Sequence, residues 1–88
     1  MELNDIVTVV AISGEYVGKY KSSTDGTITL EDPRMLITNE SGMGFAAGIA
    51  VTGEADPREV TFGQFVFVVD TNMEVQKAYR QATSGIII

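Results

Sequence analysis

Val60-Thr61-Phe62-Gly63-Gln64-Phe65-Val66-Phe67-Val68-Val69-Asp70 is the stretch whose reading decides the fold. β-Branched and aromatic side chains dominate it, which favours extended structure. Phe65, Phe67 and Val69 alternate with Val66 and Val68 instead of with polar residues, the pattern of a strand covered on both faces. A single small core covers one face of such a strand. The other face calls for a further layer, most simply a second copy of the chain, so oligomerisation is expected.

Upstream, Ile6 to Ile12 is rich in β-branched residues and reads as a first strand, reversed at Ser13-Gly14-Glu15. Tyr16 to Lys21 reads as a second strand, with Gly18 marking a bend or bulge. Asp25-Gly26 is a strong hairpin signal, and Thr27 to Glu31 alternates as a third strand with Ile28 and Leu30 on one face. Asp32-Pro33-Arg34 is expected to interrupt it, because proline cannot donate to a ladder, with extended chain resuming at 35–38. Asn39 to Gly44 reads as a loop, Phe45 to Thr52 as a bent strand, and Gly53 to Glu59 as a second loop. The Asp-Pro-Arg tripeptide recurs at Asp56, but its flanks do not, so it is turn chemistry and not a repeat.

Downstream of Asp70 the period changes. Thr71-Asn72-Met73-Glu74 has capping-box spacing, and Val75, Ala78, Tyr79 and Ala82 fall at i, i+3, i+4 and i+7. This predicts a helix over 72–84, with Gly85 as its C′ residue. Ile86-Ile87-Ile88 is wholly apolar and is expected to dock on something.

Composition excludes much chemistry. The 88 residues hold no histidine and no cysteine, so imidazole bases, Ser-His-Asp triads, thiolate metal sites and disulfides are all absent. Adjacent Glu31 and Asp32 point to opposite faces of a strand, which suits no acid and base pair. Glu54, Asp56 and Glu59 share a loop, but their spacing matches no calcium loop, and the glycines at 42, 44 and 48 make no dinucleotide fingerprint. The chain is read as a non-enzyme without metal or cofactor. Its net charge of −6 argues against broad non-specific binding to nucleic acid. No apolar run approaches a membrane span and the first residues lack a signal-peptide layout, so a soluble, cytoplasmic protein is expected.

Two segments together resemble the Sm-like (Sm and LSm) family. The first is Val9 through Asp32, with Ser13-Gly14-Glu15-Tyr16-Val17-Gly18-Lys19-Tyr20, an Asp-Gly loop and Ile28-Thr29-Leu30-Glu31-Asp32. The second is Val60 through Val68, where Gly63 stands at the turn glycine leading into the last strand. The resemblance covers about three quarters of the chain and its motifs are mostly glycines and apolar positions. It implies a mainly β fold: a strongly bent five-stranded antiparallel barrel over about 5–70 in one domain, here with a C-terminal helix and an apolar tail at 85–88. It also implies a homo-oligomeric ring built by pairing edge strands, which binds single-stranded RNA or DNA at its pore. The chain departs from the family where that function is read. The loop around Asp25 has no asparagine, and Phe62 stands where the family carries an arginine. In its shortness and its departures it resembles the Sm-like proteins that occur in phage genomes.

The residues that would carry nucleic-acid binding are Tyr16 or Phe62 as stacking platforms, Ser23, Thr24, Asp25, Gly63 and Gln64 as loop contacts, and Lys19, Lys21 and Arg34 on phosphates. Each has a plainer reading: Asp25-Gly26 makes a hairpin without a ligand, Phe62 fits a core, and the lysines fit a solvated strand face. The interface candidates are Phe65, Val66, Phe67, Val68, Ile86, Ile87 and Ile88. A structural or adaptor ring that contacts protein only is the alternative function, and an OB-fold the alternative barrel.

Overall fold

The computed structural model describes residues 1–46, 49–50, 52–54 and 57–83. Ile6–Ala11 (β1), Gly14–Thr24 (β2), Thr27–Asn39 (β3), Gly42–Phe45 (β4), Glu59–Phe62 (β5) and Phe67–Asp70 (β6) make one antiparallel sheet, followed by a helix at Met73–Thr83 (α1). The fold is mainly β, as expected, with a C-terminal helix.

Local chemistry sets the two early hairpins. Ala11 faces Gly14 across Ile12-Ser13, with Gly14 at φ 146°. Thr24 faces Thr27 across Asp25-Gly26, whose φ values of 34° and 84° are both positive, as a mirror-image two-residue turn requires. The expected bulge at Gly18 is present as a register shift between Val17 and Lys19, and a second shift lies between Tyr20 and Ser22. A Cβ at Gly18 would lie 3.0 Å from Leu30 Cβ and 3.2 Å from the Glu31 carbonyl oxygen, so β2 and β3 approach closely only because the residue is glycine.

The Asp32-Pro33-Arg34 tripeptide bends β3 without interrupting it, contrary to expectation. Asp32 adopts φ 49° and its N–H donates to the Arg58 carbonyl at 2.7 Å, while Pro33 is fully buried. The Tyr79 hydroxyl pins the same bend by donating to the Asp32 carbonyl at 2.6 Å. β2 runs along one edge of β3, and the other edge is served in two pieces: β5 pairs with 28–31 and β4 with 36–39.

Here the chain corrects two expectations. The segment 39–44 holds a tight turn and β4, not a loop, because Asn39 Oδ1 accepts the Ser41 N–H at 2.8 Å and Gly42 takes φ 128°. Having turned back early, the chain leaves the sheet at Ala46, so the expected strand over 45–52 is absent from its described residues beyond Phe45.

The organising stretch is also two strands instead of one. β5 ends at Phe62, residues 63–66 cross to the far end of the sheet, and β6 pairs with β1 from Val10 opposite Phe67 to Val7 opposite Asp70. Phe65 and Val68 pack against the core while Phe67 and Val69 face out, so the period slips between 65 and 67. Where a strongly bent five-stranded antiparallel barrel was expected, the structure has an unclosed antiparallel sheet of six strands in the order β4-β3-β2-β1-β6, with β5 beside β3.

Each face of the sheet has its own core. Val7, Val9, Tyr16, Ile28 and Leu30 form the core on one side, joined by Phe62, Phe65 and Val68. On the opposite face Ile6 and Val17 receive Val75 and Tyr79 of α1, with Phe45 edge-on to Tyr79 at 6.1 Å. The helix is capped by Asn72, whose Oδ1 accepts the Val75 N–H at 2.9 Å. The expected cap, Thr71, instead is buried and shares a 2.8 Å hydrogen bond with Thr8 Oγ1, so the helix starts one residue later than its capping-box spacing suggests. Gly85 and Ile86-Ile87-Ile88 lie outside the described residues.

Candidate functional site

The two aromatic candidates are turned inward. Tyr16 is buried, its hydroxyl hydrogen-bonded to Ser13 Oγ at 2.7 Å, and its ring packs on Phe62 with centroids 5.0 Å apart. Each ring serves as the other's partner, with Tyr16 buried and Phe62 half-buried.

The cationic candidates lie on the opposite, polar face of the sheet. Lys19 stands opposite Glu31 in the β2–β3 register, and Lys21 Nζ forms an ion pair with Glu59 Oε2 at 2.6 Å. That contact, first as a hydrogen bond and then as charge, holds the Lys21 ammonium above its ordinary pKa. Thr29 and Thr61 share a 2.8 Å bond beside them. This is a solvated strand face with its charges balanced. Arg34 is half-buried, donates to the Pro33 carbonyl at 3.1 Å, and stands opposite Val17, two residues along β2 from Lys19.

The loop candidates do meet in register. Ile28 pairs with Phe62, so the Asp25-Gly26 turn and the exposed Gly63 and Gln64 leave the sheet at one end. Ser23 Oγ is engaged by the Tyr20 hydroxyl at 2.8 Å, and the Thr24 carbonyl accepts from Thr27. From there residues 63–66 run to the β1–β2 turn, where Ala11, Ile12, Ser13, Gln64, Phe65 and Val66 line a hollow of about 350 Å³.

The interface candidates divide. Phe65 and Val68 belong to the core, whereas Val66 and Phe67 are 64% and 49% exposed. Val69, 46% exposed, shares the outer face with Phe67 and with half-buried Val10. Together they make an apolar stripe along β6, whose second edge pairs with nothing among the described residues. Val10 and Val69 were legible as strand residues, but which face would be left bare depended on where α1 lands.

Compared with family models, curated proteins and solved structures, the chain matches none. No helix among the described residues is long and apolar enough to cross a membrane.

Proposed function

We propose that the chain is a Sm-like subunit that joins copies of itself head to tail through its two free sheet edges, and that the assembly serves as a scaffold contacted by protein. The observation that carries this reading is the outer edge of β6, unpaired among the described residues, with Phe67 and Val69 exposed beside it. β4 and β5, counted as one interrupted strand, leave five strand positions, which agrees with the family resemblance. Edges at opposite ends of an open sheet make a heterologous contact, and such contacts close into rings when the rotation permits. Acidity, balanced lysines and the inward-turned aromatic pair favour a protein partner over a nucleic acid.

The nucleic-acid reading keeps one favourable observation, the shared end of the sheet from which Asp25, Gly63 and Gln64 emerge. Fluorescence anisotropy with oligouridine and oligoadenine at low salt separates the two. The scaffold reading predicts no binding at tens of micromolar protein, and saturable binding that weakens with salt would replace it with the nucleic-acid reading.

A further inference from the structure

Two rows of residues cross the sheet from one outer edge to the other. In the first, Asp70 stands opposite Val7 and Val7 opposite Gly18. Gly18 lies between the Val17–Arg34 and Lys19–Glu31 pairs, across from Asp32 and Pro33, and the Asp32 N–H donates to the Arg58 carbonyl at 2.7 Å. Asp70 on the β6 edge is therefore level with Arg58 on the β4–β5 edge. In the second row, Phe67 stands opposite Val10 and Val10 opposite Glu15. The Tyr16–Met35 pair sets Glu15 beside Leu36, which stands opposite Phe45. Phe67 and Phe45 are thus level in the same way.

The faces agree as well. Side chains alternate along a strand, so Asp70 falls on the face of Val68 and Arg58 on the face of Val60. Val68 packs on the core that holds Leu30, and Val60 stands opposite Leu30, which makes these one face. Phe67, next to Val68, shares the other face with Phe45, which packs under α1. Asp70 is the only charged residue of β6, and Arg58 the only cation among the described residues of the opposite edge, 42–46 and 57–62. Both are exposed. Arg58 lines a hollow of about 280 Å³ with Glu31 and Asp32 but forms an ion pair with neither, and Glu31 has Lys19 opposite it. Asp70 lines another, of about 250 Å³, with Asp5 and with Arg80, whose guanidinium donates to Gln76 at 3.2 Å. Neither Asp70 nor Arg58 has an ion-pair partner among the described residues. A joint that desolvates a lone carboxylate opposes its own formation. Sliding one copy by two residues toward Gly63 would set Asp70 on apolar Val60, whereas level copies set it on Arg58.

We infer that successive copies meet without a shift along the strands, so that the Asp70 carboxylate of one pairs with the Arg58 guanidinium of the next while Phe67 of the first lies beside Phe45 of the second. The inference rests on the head-to-tail reading above and fixes its register. One alignment satisfies the charge on each edge and joins the two aromatic side chains on the opposite face.

Charge reversal tests the pair. Arg58→Asp and Asp70→Arg are made singly and together, and the mass of each variant is followed by light scattering on dilution. Each single variant sets like charges face to face at every joint, and is expected to dissociate at a protein concentration at least about tenfold above that of the wild type. The double variant restores opposite charges and is expected to return to within about threefold of the wild type. Both residues are exposed, so circular dichroism spectra are expected to be unchanged. They stand at opposite edges of their own subunit, so the rescue reports a contact between copies. Single variants that assemble like the wild type overturn the inference, as does a double variant no better assembled than the singles. In either case an oligomeric wild type keeps the head-to-tail reading and removes this register, whereas a monomeric wild type removes both.

Discussion

At the residue scale, Tyr79 does the most with one side chain. It is 0% exposed, packs edge-on to Phe45, and its hydroxyl holds the positive-φ bend at Asp32. Burial, reinforced by the Asp32 carboxylate, pushes the phenol's pKa above its ordinary value. A phenol that holds its proton more tightly when folded contributes stability that is fully present below about pH 10, the unfolded value, and lost as pH rises toward the folded one. Tyr79→Phe is expected to cost about 1–2 kcal/mol in urea melts at pH 7, by loss of the hydrogen bond, and to flatten the fall in stability above pH 10. A phenylalanine variant with the wild-type alkaline slope would contradict this assignment. Glycines offer a second contrast. Gly18→Ala places a Cβ 3.0 Å from Leu30 and is expected to cost about 1–3 kcal/mol, whereas Gly63→Ala meets nothing within 4 Å and is expected to stay within about 0.5 kcal/mol of wild type.

At the element scale, the helix tests how capping is assigned. Asn72→Ala removes the observed cap and is expected to lower stability by about 1 kcal/mol with frayed helicity. Thr71→Val leaves the helix content intact and instead strands the buried Thr8 hydroxyl, at about 1–3 kcal/mol. Circular dichroism with thermal melts distinguishes the two, and a loss of helicity in Thr71→Val would return the cap to Thr71. The same region shows what was legible in advance. The Val75–Tyr79 face, the Asp25-Gly26 turn and the Gly18 bulge were readable because each rests on chemistry within a few residues. The course of β3 through Pro33 was not, because its bend depends on Arg58 and Tyr79, which are far off in sequence. β4 hid in a glycine-rich segment for a related reason: its strand state comes from pairing with 36–39, not from propensity. Of the candidate site residues, Tyr16 and Lys21 could be named from the sequence, but only the fold shows Tyr16 closing on Phe62 and Lys21 on Glu59.

At the scale of the whole molecule, one edge of the sheet at β6 and another along β4 and β5 are unpaired among the described residues, with apolar side chains exposed at the first. An exposed strand edge beside Phe67 and Val69 is a liability for a monomer and a joint for an assembly. Lysine at either position introduces a charge that is solvated in the free chain and desolvated in a joint. Phe67→Lys and Val69→Lys are therefore expected to dissociate the assembly while changing the stability of the separated subunit by no more than about 0.5 kcal/mol. The most direct test is the solution mass of the wild-type chain by multi-angle light scattering at micromolar concentration. The account predicts a discrete multiple of 9.5 kDa that falls toward the single-chain mass in Val69→Lys. A wild-type species of 9.5 kDa across that concentration range would contradict it.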